Sequence, residues 1–277
     1  MTSLAARPLA GVQARLNYLA ESEHAPAYYL YETAPGYTPP PPAVARHTVT
    51  VHDLRPALAT ATLAAHGFTF LRDALPALDF LDDAAVRAAY YPRCCELVRR
   101  ATGAARVLAF DHNVRDAALA ATPGTGVREP VRFVHNDYTA RSGPQRVRDL
   151  LGADSAATLA AGYRFINVWR PLRGPVTDQP LAVCDASSMA PGDFVATDLR
   201  YADRTGEIFT VRHNPAHRWY YLAGMQADEV LLLECFDSTA RTGRYTAHSA
   251  FRHPAAAPDA PTRRSIEVRT IASFADA

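Results

Sequence analysis

From residue 106 to the C-terminus the chain reads as one short strand after another, and this limits the fold more than any other feature. Strand character recurs at residues 106–110, 131–138, 164–169, 180–184, 207–213, 217–222, 229–236 and 265–271. Turn signals such as Ala190-Pro-Gly-Asp193 and Arg204-Thr-Gly206 punctuate the series, and residues 144–161, with helical composition, interrupt it. A strand buries one face only against another sheet, so many short strands in succession imply a barrel or a sandwich. The reading favours a mainly β fold with flanking helices around a double-stranded β-helix, the cupin-like jelly roll. Residues 47–105 read as a mixed α/β flank: a strand at 47–53, a helix at 54–65, a strand at 67–71, and an alanine-rich helix ending near Ala101 and bent at Pro92. Residues 1–46 contain Tyr28, Tyr29, Tyr31 and the run Pro39 to Pro42. They read as an N-terminal arm, leaving 47–277 as a single jelly-roll domain.

Composition narrows the function. All 29 basic residues are arginine, which excludes Schiff-base chemistry and a P-loop, since both require a lysine amine. They are balanced by 28 acidic residues, so the one-signed field expected of a nucleic-acid binder is missing. No apolar run approaches the roughly 18 residues of a membrane span, and the four cysteines are too sparse for a disulfide framework. A cytoplasmic protein acting on a small molecule, with no nucleic-acid or membrane partner, is the expectation.

The chemistry concentrates in three places. In His135-Asn-Asp137 the side chains two apart share a strand face, so an imidazole and a carboxylate can converge on one ion. A remote histidine would complete the facial triad that binds Fe(II) and leaves open positions. His248 supplies it, with His253 as an alternative beside Pro254. About fifteen positions on, Arg263 and Ser265 form an Arg-x-Ser pair whose planar fork and hydroxyl suit the distal carboxylate of 2-oxoglutarate. Asn167 is expected to touch cosubstrate or substrate, and Trp169, Tyr138 and Arg115 to line a substrate pocket. His112, His213 and His217 are expected to be structural or surface residues. The rival class is a cupin-like isomerase or hydrolase with the same ligands, or a non-catalytic binding module.

The order of motifs resembles the hydroxylase/desaturase family of secondary metabolism, the AsaB-like and CmcJ-type branch of the non-haem Fe(II)/2-oxoglutarate-dependent oxygenases. The resemblance runs from about Thr48 to Ile271 and rests on Val51-His-Asp-Leu-Arg55, Phe110-Asp-His-Asn-Val-Arg115, His135-Asn-Asp-Tyr138, Asn167-Val-Trp-Arg-Pro171, the residues from Leu181 to Ser188, Phe236-Asp-Ser238, His248-Ser-Ala-Phe251 and the residues from Arg263 to Arg269. It implies iron at His135, Asp137 and His248, and 2-oxoglutarate near Arg263. Thr262 stands where the family pattern has proline, which keeps Arg264 and Arg269 open as alternative clamps.

Overall fold

The computed structural model describes residues 9–122, 124–239 and 245–274. In chain order the strands are β1 (Gly11–Leu19), β2 (Ala27–Tyr29), β3 (Val44–Asp53), β4 (Phe68–Arg72), β5 (Arg106–Asp116), β6 (His135–Asn136) and β7 (Tyr163–Pro171). The second half adds β8 (Leu181–Cys184), β9 (Phe194–Arg200), β10 (Thr205–Val211), β11 (Trp219–Tyr221), β12 (Glu229–Asp237), β13 (His248–Ala250) and β14 (Arg264–Ser273). They form a nine-stranded sheet, ordered β1-β3-β11-β8-β13-β6-β10-β9-β2, and a five-stranded sheet, ordered β4-β12-β7-β14-β5. The two sheets face each other as a double-stranded β-helix.

Burial explains the layering. Phe165, Trp169, Leu231 and Leu233 of the five-stranded sheet share one buried cluster with Val183 and Tyr220 of the nine-stranded sheet, which is the barrel interior. Neighbouring positions Ile166, Val168, Val230 and Leu232 point the other way and pack with Cys94, Leu97 and Val98. Those last residues lie on the helix Tyr91–Thr102, whose buried positions recur at helical spacing, so it covers the sheet's outer face. The helix follows a π-helical turn at Val86–Tyr90 and ends at Gly103, whose φ of 70° suits a residue without a Cβ. The expected bend at Pro92 is thus a change of helical pitch just before it.

The N-terminal segment departs from the expected arm. β1 pairs along its whole length with β3, and Leu16 and Tyr18 are buried. Ala14, Leu16 and Tyr18 pack with Ala182, Cys184, Val211 and Trp219, so the β1–β3 edge of the nine-stranded sheet is packed onto strands β8, β10 and β11 of the same sheet. The alternation of apolar residues in Val12, Ala14, Leu16 and Tyr18 carried this signal, while the tyrosines and prolines after it drew attention away. The strand expected over 131–138 contracts to His135–Asn136. Among the described residues no helix is long and apolar enough to cross a membrane.

Candidate metal centre

β6 and β13 are short because they meet where the ladder breaks, and that break positions the ligands. His135 and His248 are cross-strand partners, with ring centroids 4.3 Å apart. After His135 the chain leaves the sheet because Asn136 donates its side-chain amide to the carbonyls of Tyr138 (2.8 Å) and Cys235 (2.9 Å). That turn carries Asp137 toward the five-stranded sheet. One ligand atom from each of His135, Asp137 and His248 lies within 4.8 Å of the others.

Each member is oriented by its neighbours. The Nδ1 of His135 is 2.8 Å from the Phe133 carbonyl and that of His248 is 3.1 Å from the Thr246 carbonyl, so each ring donates there and keeps a lone pair on Nε2. Burial lowers both imidazoles, His135 to about 4 with His248 as a further cause, so both are neutral donors at ordinary pH. Asp137 Oδ2 accepts from Asn167 Nδ2 (2.8 Å) and Arg269 Nε (3.1 Å), while Oδ1 faces His135 Nε2 at 3.7 Å. Burial alone would raise the Asp137 carboxyl; Arg269 and the two imidazoles outweigh it and hold it below its usual range. Two neutral imidazoles and one carboxylate oxygen on one side of a cavity make a donor set for a divalent transition metal.

The three candidate clamps separate clearly. Arg264 points outward and pairs with Asp116 at 3.0 Å. Arg269 is occupied by three carboxylates: Asp137, Asp111 at 2.9 Å and Glu267 at 2.9 Å. Arg263 is buried over the Trp169 ring, 5.3 Å from its centroid, and donates to the Gln179 carbonyl. Its Nε and the Ser265 Oγ are buried without a hydrogen-bond partner among the described residues. Buried donors left open in this way mark a place for an anion.

Comparison with known proteins agrees with this geometry. A family model described as an oxidoreductase/YMDC permease-like domain matches residues 16–273. The Fe(II)/2-oxoglutarate-dependent dioxygenase nvfI of Aspergillus novofumigatus is 35% identical over 252 residues, 88% of this chain and 89% of that protein. The hydroxylase/desaturase efuI of Hormonema carpetanum is 30% identical over 255 residues, 82% of this chain and 84% of its own. A solved structure, the iron and alpha-ketoglutarate-dependent endoperoxidase NvfI, superposes with a TM-score of 0.86 at 31% identity, covering 96% of this chain and 99% of that one. The chain belongs to the Fe(II)/2-oxoglutarate-dependent oxygenases. It is a non-haem iron enzyme whose cofactors are Fe(II) and 2-oxoglutarate, and the donor set and open clamp described above fit both.

The remaining sequence candidates of this oxygenase lie on and around the same barrel. Asn167 bonds Asp137 directly, as a support for the carboxylate. Tyr138 is buried and stacks on Phe165 with centroids 4.1 Å apart, which makes it interior packing. Trp169 is likewise buried, beneath the Arg263 guanidinium. Arg115 lies on the interior side of β5, opposite Ser265. His253 is bonded to the Tyr221 hydroxyl at 3.3 Å and stands outside the triad. His112 pairs with the Tyr91 hydroxyl and His213 stacks on His47, both as structural residues. His217 has an acidic partner after all, Asp193 at 3.0 Å, from a part of the chain that local spacing does not reveal. Arg269, read in sequence as an alternative clamp, instead forms with Glu267 and Asp111, which sequence reasoning missed, a network behind Asp137; the alternation Arg263, Ser265, Glu267, Arg269 along β14 was its one visible sign.

Proposed function

We propose that this oxygenase hydroxylates or desaturates a small secondary metabolite, with Fe(II) held by His135, Asp137 and His248 and the distal carboxylate of 2-oxoglutarate held by Arg263 and Ser265. The observation that carries it is the coexistence, inside one barrel, of the converging triad and two buried donors without partners. The hydroxylase/desaturase name of a relative that spans most of this chain supports the reaction class. A cupin-like isomerase or hydrolase is set aside, because it has no use for a carboxylate clamp beside its metal and no relative named above is one.

When bound, iron, 2-oxoglutarate and dioxygen supply the power to oxidise an unactivated C–H bond. The protein's part is orientation and exclusion of water. The Phe133 and Thr246 carbonyls fix the two rings so that each Nε2 faces the same point. Asn167 and Arg269 occupy one oxygen of Asp137 and leave the other to ligate. Trp169 supports the Arg263 guanidinium from below, a cation over an aromatic face. Four free thiols, three of them buried, agree with a reducing, cytoplasmic setting.

The test is turnover with Fe(II), 2-oxoglutarate, ascorbate and a set of metabolites made alongside this enzyme, following succinate and product mass. A product with one oxygen more indicates hydroxylation, and one with two hydrogens fewer indicates desaturation. Succinate formation that never depends on 2-oxoglutarate and Fe(II) together would reject the reading.

A further inference from the structure

We propose that Arg115 is a second arm of the cosubstrate clamp, so that the distal carboxylate of 2-oxoglutarate lies between the guanidiniums of Arg115 and Arg263 with the Ser265 hydroxyl beside them. The proposal rests on the cosubstrate reading above and adds to it a residue from a different strand.

The placement follows from register. Arg115 of β5 is the direct partner of Ser265 of β14. Directly opposed residues in an antiparallel pair carry their Cβ atoms about 4.5–5.5 Å apart on one face. Arg263 stands two residues before Ser265, so it shares that face and is the diagonal neighbour of Arg115. The face is the interior one. Asp111, four residues before Arg115, reaches Arg269 at 2.9 Å inside the barrel, whereas His112 reaches Tyr91 of the covering helix and Asp116 reaches Arg264 on the outside.

Charge then asks for an occupant. Among the described residues Arg115 makes no ion pair; its Nη1 donates to the Glu129 carbonyl at 2.8 Å. The nearby acids Asp111, Asp137 and Glu267 converge on Arg269. Asp178 and Glu267 are near enough to act on Arg263 electrostatically, yet neither forms an ion pair with it. Two guanidiniums thus lie near one another on the barrel interior, neither in an ion pair among the described residues, with Glu267 close enough to act on both electrostatically. Burial, followed by the like charge of Arg115, pulls Arg263 down to about 10, and burial lowers Arg115 as well. Like charges so placed are costly unless an anion lies between them. A carboxylate has about four acceptor sites, more than Arg263 and Ser265 fill, and the planar fork of a second arginine matches the rest.

The experiment is calorimetric titration of the Mn(II)-loaded protein with two probes: 2-oxoglutarate, and 2-oxopentanoate, which keeps the chelating 2-oxo acid and lacks the distal carboxylate. Arg115→Gln should weaken 2-oxoglutarate binding roughly tenfold or more, the loss of a charge-assisted bond, and leave 2-oxopentanoate binding unchanged. Arg115→Lys, which keeps the charge, should lose part of the 2-oxoglutarate affinity with the same selectivity, and it carries the test if circular dichroism shows Arg115→Gln misfolded. Unchanged 2-oxoglutarate affinity, or an equal loss for both probes, overturns the proposal and assigns Arg115 elsewhere. Arg263→Gln separates the two levels: if it too leaves 2-oxoglutarate affinity unchanged, the cosubstrate reading itself fails, and if it alone weakens binding, only the second arm falls.

Discussion

At the scale of single residues, the triad owes its shape to groups that touch no ligand position. Asp137 keeps one oxygen available because Asn167 and Arg269 take the other. Removing such a support is expected to cost about 10–100-fold in metal affinity. Asn167→Ala should therefore weaken Fe(II) binding by about that factor while circular dichroism stays unchanged. His248→Ala should abolish stoichiometric iron binding and turnover together, and His253→Ala should preserve both, because His253 is bonded to Tyr221 away from the triad. Metal analysis of the two purified variants checks the pair. The converging triad could be singled out in sequence because two residues on one strand face need only local spacing. The supporting roles of Asn167 and Arg269, both candidates for other roles, could not, since Asp137, Asn167 and Arg269 belong to three segments that meet only through the register of β7 with β14 and the turn after β6.

At the scale of elements, the long strands announced themselves and the short ones did not. β7 and β12 are long, largely apolar strands buried on both faces, and both were read correctly within two residues. β13 is three residues, His248–Ala250, and has no pattern to detect, although it carries a member of the triad. β12 also holds the least comfortable charge of the described residues. Glu234 is fully buried, with neither oxygen hydrogen-bonded and Arg164 3.3 Å from one of them. Burial raises it to about 8, with Asp237 adding to the rise and Arg164 opposing it. An acid whose folded pKa lies above its unfolded value contributes stability that is complete below the unfolded pKa and is lost as pH rises through the folded one. The loss therefore falls between pH 4.5 and about 8. Glu234→Gln should flatten the pH dependence of the unfolding midpoint across that window and raise the midpoint at its upper end, as followed by thermal denaturation. In β1, Leu16→Ala should cost about 2–5 kcal/mol, the usual range for emptying a buried leucine site, read by urea denaturation.

At the scale of the whole molecule, the ligands should hold the two sheets together. Asp137 follows a strand of the nine-stranded sheet and is gripped by residues of the five-stranded one, so a metal held by Asp137 would be tied to both layers. Anything bound only by the folded state stabilises it, by about 2.7 kcal/mol at a hundred times its Kd. Mn(II) with 2-oxoglutarate should raise the unfolding temperature of the protein, and in Arg263→Gln the increment due to 2-oxoglutarate should shrink while that due to Mn(II) persists; scanning calorimetry separates the two. The jelly roll was foreseeable because short strands in series leave few ways to bury their faces. The path of the first residues was not, because β3 pairs in parallel with β11, Val51 beside Trp219. That pairing has a consequence for how the chain is made. Trp219 leaves the ribosome 168 residues after Val51, a delay on the order of ten to thirty seconds at about 5–20 residues per second. Throughout that interval Leu16 and Tyr18 can pair with β3 but lack Trp219, the large side chain of the cluster they pack into.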